Sequence, residues 1–294
     1  MSLNKHNISV FENKTVGIIA PAGPMNKDLI DAAIESIAAQ NCTVKVGSNL
    51  YNKFLHTAGS AEERATDFNL MCASNIDLIL SLRGGFGSIH ILDLIDWQLI
   101  KNKKPMLLGY SDISVLHLAM SKMESGIPVA SPMAGTYNSW DKKTANSVKD
   151  AINKTPRTLA NCTIIQNTTS TKVSGKPILS NLTCAASLCG TKYFPNCKDK
   201  IIFLEDVDEP VYKIDRTLTQ LLMANFFDNC AGIVFGYFTN SNKEELHLLL
   251  KEFAKKLSCP IYCDFPYGHE LPFVAVNFEE TITMDNGLVS ANLS

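Results

Sequence analysis

The chain has 294 residues, 46% of them hydrophobic and 19% charged, with a formal net charge of -2. That length and apolar content suit one large or two medium globular domains. The near-even charge balance, without a Lys/Arg run or an acidic tail, argues against a nucleic-acid partner or a solvating segment, and no apolar stretch approaches a membrane span. The nine cysteines are an odd number scattered through apolar or mixed surroundings, as expected of buried thiols in a reducing compartment and not of a disulfide framework. Residues 1–14 are polar and lack the apolar region of a signal peptide, so the expected location is the cytoplasm.

Thr15-Val16-Gly17-Ile18-Ile19-Ala20-Pro21 is a continuous apolar run closed by proline and glycine, the pattern of a strand buried on both faces. Leu29, Ile30, Ala33, Ile34 and Ile37 recur at helical spacing within residues 26–40, and 42–46 returns to a strand, completing a βαβ unit. A polar stretch over 51–66 precedes a helix ending near Asn75. The strand at 77–82 then runs into Arg83-Gly84-Gly85-Phe86-Gly87-Ser88, with a helix expected over 89–95. A short strand at 105–108 turns sharply through Gly109 into Tyr110-Ser111-Asp112-Ile113 and an amphipathic helix. The first half therefore reads as a parallel, helix-covered sheet whose ligands bind at the carboxyl ends of its strands.

Ser111 at the last of these turns has two readings. Ser and Asp at a helix start are common N-caps. The same geometry exposes a hydroxyl at a strand end beside unpaired helix N–H groups, which is what a serine nucleophile and its oxyanion need. The turn at 84–87 lacks the G-x-G-x-x-G spacing of a dinucleotide site and opens on Arg83. Backbone approaching something closely accounts for its glycines better, and an N–H near Gly85 could complete an oxyanion hole with that of Asp112.

From 139 to 175 the composition shifts to Lys, Asn, Thr and Ser, which places a domain boundary there. The expected division is 1–155 as the nucleophile domain, 156–175 as a linker and 176–294 as a smaller α/β domain. The latter holds a strong strand at 200–204 ending in Glu205-Asp206-Val207-Asp208-Glu209, a helix over 211–226, a buried strand at 231–238, a helix over 243–257 and a terminal hairpin around Asp285-Asn286-Gly287. Of the six histidines, His6 and His56 lie in polar regions and His90, His117 and His247 in helices; only His269 follows a strand end in a loop. Glu205 comes directly off an apolar strand, with Glu209 as a reserve carboxylate. Ser111, Glu205 and His269 can thus supply nucleophile, orienting carboxylate and general base. There is no H-E-x-x-H and no C-x-x-C, so a metal site is not expected, nor is a cofactor. The order Ser, Glu, His also occurs in α/β-hydrolases, but Gly109-Tyr110-Ser111-Asp112-Ile113 lacks the second glycine of G-x-S-x-G.

These residues resemble the LD-carboxypeptidases, serine peptidases that include murein tetrapeptide carboxypeptidases and microcin C self-immunity proteins. The likeness runs in order through Ala20-Pro21-Ala22-Gly23, Ala58-Gly59 with Glu63-Arg64-Ala65, Arg83-Gly84-Gly85-Phe86-Gly87, Gly109-Tyr110-Ser111-Asp112-Ile113, Ser131-Pro132-Met133, Asn181-Leu182 with Gly190-Thr191, Phe203-Leu204-Glu205-Asp206-Val207, Tyr212-Lys213-Ile214-Asp215-Arg216 and Gly268-His269. The resemblance implies Ser111 as nucleophile, His269 as base and Glu205 as its carboxylate, with an oxyanion hole from the backbone N–H groups of Asp112 and Gly85. It further implies a metal-free homodimer of two-domain α/β subunits, with the active site in the interdomain cleft. The implied reaction removes the terminal D-alanine of a murein tetrapeptide or related muropeptide in cytoplasmic wall recycling. A microcin C-type immunity peptidase and a catalytically silent muropeptide-binding module are the alternatives. Two departures bear on the pocket: Ala130-Ser131-Pro132 replaces the family's usual His-Gly-Pro, and Glu270-Leu271-Pro272 follows His269 sooner than usual.

Overall fold

The computed structural model describes residues 8–167 and 172–292. The first sheet takes β1 (Thr15–Ile19), β2 (Thr43–Val46), β3 (Leu78–Ser81), β4 (Met106–Gly109) and β5 (Ile127–Ala130), all parallel, connected through α1 (Lys27–Ala38), α2 (Ala61–Ala73), α3 (Trp97–Lys103) and α4 (Ser114–Lys122). After α5 (Lys142–Asn153) come β6 (Arg157–Asn161), β7 (Thr163–Gln166), β8 (Lys172–Asn181), α6 (Leu182–Ser187), β9 (Lys200–Val207), α7 (Val211–Met223), β10 (Gly232–Thr239), α8 (Lys243–Ala254) and β11 (Ile261–Cys263). The chain closes with β12 (Val276–Asn277), β13 (Thr281–Asp285) and β14 (Leu288–Asn292). The six-stranded sheet has the order β12-β5-β4-β3-β1-β2 and the eight-stranded sheet β6-β14-β13-β8-β9-β10-β11-β7.

Strands buried on both faces carry the core: Val16, Ile18, Leu80, Leu107 and Leu108 in one sheet, Ile202, Phe203, Leu204 and Val234 in the other, are all inaccessible to solvent. Among the described residues no helix is long and apolar enough to cross a membrane, and no group of three or more His, Cys, Asp or Glu is placed to hold a metal ion. All nine cysteines are free thiols.

Four stretches fold differently from expectation. α2 starts at Ala61, inside the stretch read as polar, because Ser60 and Glu63 form a reciprocal capping box. The helix expected over 89–95 is a tighter 3-10 turn over Ser88–Leu94, and α3 follows it, capped by Asp96. β5 and α5 had no counterpart in the sequence reading. The stretch 156–175, read as a linker, contains β6, β7 and the start of β8. β6 and β7 are the two edges of the second sheet, so their partly exposed, polar side chains mimic a linker in composition.

The two halves are also interleaved. β12 comes from the C-terminal half yet pairs antiparallel with β5 of the first sheet, Val276 opposite Ala130. Arg157 of β6 anchors the same segment: its Nη2 donates to the Ala275 carbonyl (3.0 Å) and its Nη1 to the buried carboxylate of Glu280 (2.5 Å).

Candidate active site

β4 delivers the chain to a sharp turn. A Cβ on Gly109 would lie 2.7 Å from Ile113 Cγ2, so only glycine allows the return to be this tight. Tyr110 is extended, and Ser111 then adopts a φ of 59°, in the left-handed region that costs an L-residue about 1–3 kcal/mol. A 3-10 turn over Ser111–Ile113 feeds directly into α4. Neither hydroxyl nor carboxylate caps this helix, contrary to the N-cap reading. Ser111 Oγ lies 3.3 Å from His269 Nε2, and Asp112 Oδ2 accepts from the Ser88 backbone N–H at 2.8 Å.

His269 sits in the loop after β11, and its Nδ1 is 2.9 Å from Glu205 Oε2. With Nδ1–H donating to the carboxylate, Nε2 is left as the acceptor for the serine hydroxyl. Gly268 precedes it with a φ of 140°, and a Cβ there would crowd Tyr237 at 3.2 Å and Glu205 Oε2 at 3.3 Å. The Tyr110 ring packs against the imidazole, with centroids 4.9 Å apart, and Phe273 packs on Tyr110 in turn. Burial works against the imidazolium, but the hydrogen bond to Glu205 and its charge outweigh this, so the His269 pKa lies above the ordinary histidine value. Glu205 is fully buried; burial raises its pKa, and its bond with His269 opposes that rise.

The glycine-rich turn after β3 lies against the serine. A Cβ on Gly84 would fall 3.0 Å from Ser111 Cβ and 3.2 Å from its Oγ. The Gly84 carbonyl accepts from Gly23 N–H at 3.0 Å. Because a trans peptide points its N–H opposite to its carbonyl, the Gly85 N–H faces away from Gly23. Among the described residues neither this N–H nor that of Asp112 has a protein acceptor. Two uncommitted donors next to a hydroxyl can receive an oxyanion.

Several supporting residues escaped the sequence reading. Arg64 of α2, almost fully buried, donates from Nη1 to the carbonyls of Pro21 (2.7 Å) and Gly87 (2.8 Å), tying the ends of β1 and β3 together. Ser114 Oγ donates to the Ser111 carbonyl at 2.5 Å and accepts from Ser180 Oγ (3.1 Å) and Asn181 N–H (3.2 Å), joining the turn to the end of β8. Asn181 Nδ2 in turn donates to Asp206 Oδ1 at 2.8 Å, beside Glu205. Arg64, Asn181 and Asp206 lie within the stretches of family likeness and Ser114 directly after one, but no local pattern marks any of them as a support.

The reserve carboxylate Glu209 pairs instead with Lys213 at 3.3 Å. His117 is buried, with Nε2 3.1 Å from the Leu107 carbonyl, and desolvation pushes its pKa down to about 3. His90 packs on Phe86, His56 is exposed and His247 lies on α8, while His6 lies outside the described residues. Ser131, at the His-Gly-Pro departure, is buried and donates its N–H to the Gly109 carbonyl at 3.0 Å, bracing the end of β4.

Residues 16–130 match the LD-carboxypeptidase N-terminal domain and residues 174–284 the LD-carboxypeptidase C-terminal domain. The chain is 30% identical over 286 residues to the Bacillus subtilis (strain 168) protein named "Probable murein peptide carboxypeptidase", covering 94% of this chain and 90% of that one. It is 28% identical to the "Murein tetrapeptide carboxypeptidase" of Pseudomonas aeruginosa PAO1, with 86% and 87% covered. The fold is shared with the MccF-like protein from Bacillus anthracis str. Ames, at a TM-score of 0.86, 19% identity and coverage of 96% and 97%.

Proposed function

From the premise that this chain belongs to the LD-carboxypeptidase family and is a serine-type enzyme, we propose that it releases the terminal D-alanine from a murein tetrapeptide during recycling of wall peptides in the cytoplasm. The observation that carries this reading is the continuous hydrogen-bond chain Ser111–His269–Glu205, lying beside two unoccupied backbone donors. The names of the two relatives supply the substrate class.

In this mechanism His269 Nε2 takes the proton of Ser111 as Oγ attacks the carbonyl of the penultimate residue, whose α-carbon has the L configuration. Negative charge develops on the carbonyl oxygen, and the N–H groups of Gly85 and Asp112 receive it. Glu205 fixes the imidazole tautomer and stabilises the imidazolium. The imidazolium then protonates the D-alanine nitrogen as the C–N bond breaks, and water, deprotonated by His269, hydrolyses the acyl-serine.

The test is incubation of the purified protein with murein tetrapeptide and mass spectrometry of the products. We expect loss of one alanine residue by the wild type and none by Ser111→Ala. Undiminished release by the variant would remove Ser111 from its role, and an intact tetrapeptide with the wild type would remove the substrate.

A further inference from the structure

A carboxypeptidase that removes one residue meets a fixed geometric demand. The free carboxylate of the leaving D-alanine is two bonds from the scissile nitrogen, so whatever recognises it must lie within about one residue length, ~3.8 Å, plus a hydrogen bond of the reacting carbonyl. The proposed triad and oxyanion donors contain no cation for this purpose.

Arg83 opens the glycine-rich turn and bends back over it. Its Nη2 lies 3.4 Å from where a Gly85 Cβ would be, and its Nε is the same distance from the corresponding point on Gly23. Nη1 donates to the Pro24 carbonyl at 3.0 Å, which fixes the arm of the side chain. Arg83 is nonetheless exposed, and among the described residues no carboxylate pairs with it. Two other basic groups of the motifs are committed otherwise: Arg64 is buried on main-chain carbonyls and Lys213 pairs with Glu209. A guanidinium has five donors in a planar fork that matches a carboxylate, and this one has donors to spare two residues along the chain from a proposed oxyanion donor.

We infer that Arg83 binds the terminal carboxylate of the substrate and so restricts the enzyme to the free C-terminal end of the peptide. The inference rests on the proposed D-alanine release. Arg83 acts on binding of the departing residue, while the triad acts on the bond.

The experiment compares wild type, Arg83→Lys and Arg83→Gln on two substrates, the murein tetrapeptide and the same peptide ending in D-alaninamide, with kcat and KM measured separately. On the free acid, Arg83→Gln should raise KM by about tenfold to a hundredfold, the scale of one charge-assisted hydrogen-bonding group, and Arg83→Lys should recover part of it. On the amide, all three proteins should have similar constants, close to those of Arg83→Gln on the acid. An equal loss on acid and amide would instead make Arg83 a brace for the turn, and an unchanged KM on the acid would remove it from recognition; either result overturns the assignment. A wild type that releases neither alanine from the acid nor alaninamide from the amide fails the D-alanine reading itself and takes the assignment with it. A wild type active on the acid confines any failure to Arg83.

Discussion

Ser111 combines an unfavourable backbone conformation with a hydroxyl aimed at an imidazole, and both follow from the turn that Gly109 permits. The reactivity of that hydroxyl is set by its two partners in series. With His269 as the proposed base, activity requires its neutral form, so kcat/KM should rise with pH through the His269 pKa, giving an acid limb above the ordinary histidine value. Glu205→Gln removes the main group that raises this pKa and leaves burial, which lowers it, opposed only by the charges of Asp206 and Asp208. The acid limb should therefore move to lower pH even as kcat falls by roughly a thousandfold or more, a loss of the size seen when a triad carboxylate is neutralised. A pH–rate profile of both proteins checks this, and a limb that stays in place would separate Glu205 from the proposed base. At this scale the sequence was informative. Ser111 and His269 sit in loops that follow strands and Glu205 lies two residues before the end of β9, positions marked by an apolar run stopping at a polar residue. Asp112 was misread: as an acid at a helix start it looked like a cap, yet its carboxylate reaches across to Ser88, a partner 24 residues away that no local pattern encodes.

At the scale of elements, the turn after β3 is held from both sides. Asp112 accepts the Ser88 N–H at its far end, and Arg64 takes the Gly87 carbonyl there while Gly23 holds the Gly84 carbonyl at the near end. The proposed oxyanion donor on Gly85 is thus positioned by the Asp112 carboxylate, the Arg64 guanidinium and the Gly23 N–H, none of them part of the proposed triad. Asp112→Ala leaves the buried Ser88 N–H unsatisfied, which should cost about 1–3 kcal/mol of stability. It should also lower kcat with little change in KM, since the donor would act on the transition state. Thermal denaturation and steady-state kinetics measure the two effects, and a variant with reduced stability but wild-type kcat would detach the turn from catalysis. Elements were legible where apolar periodicity was strong, as in β1, β9 and α7, and illegible where burial is partial. α3, which buries only Ile100, was missed for this reason; α5 buries one face but is rich in Lys and Asn on the other, and β6 and β7 were hidden because edge strands tolerate polar residues on the side open to water.

Across the whole molecule, the proposed site exists only where the two sheets meet, since Ser111 comes from one and Glu205 from the other. Besides the Ser114 hydrogen bonds, the halves are fastened at the opposite end of the chain by the Arg157–Glu280 pair, whose carboxylate also accepts the Asn277 N–H of β12 at 3.0 Å. Both side chains of the pair are mostly shielded from water, Glu280 almost completely at 1% exposure. Glu280→Ala strands the guanidinium without its counterion and should destabilise the protein by about 3–5 kcal/mol. Differential scanning calorimetry reads this as a clear drop in the unfolding temperature; an unchanged transition would show that the pair contributes nothing to holding β6 and β12 together. The fastening between the halves could not be foreseen from sequence, because it joins residues far apart in the chain, 66 positions for Ser114 and Ser180 and 123 for Arg157 and Glu280.

The placement of β12 sets a timetable for the newborn chain. A ribosome that has released everything through β5 has made Ser111 and the glycine-rich turn, but the first sheet still has an unpaired edge, and the histidine that meets the serine lies 158 residues beyond it. Folding must then wait on contacts of long sequence separation, the kind that slow a chain's descent to its native state. The Ser111 hydroxyl therefore leaves the ribosome long before the imidazole it meets in the folded chain, and the proposed site can form only late in synthesis.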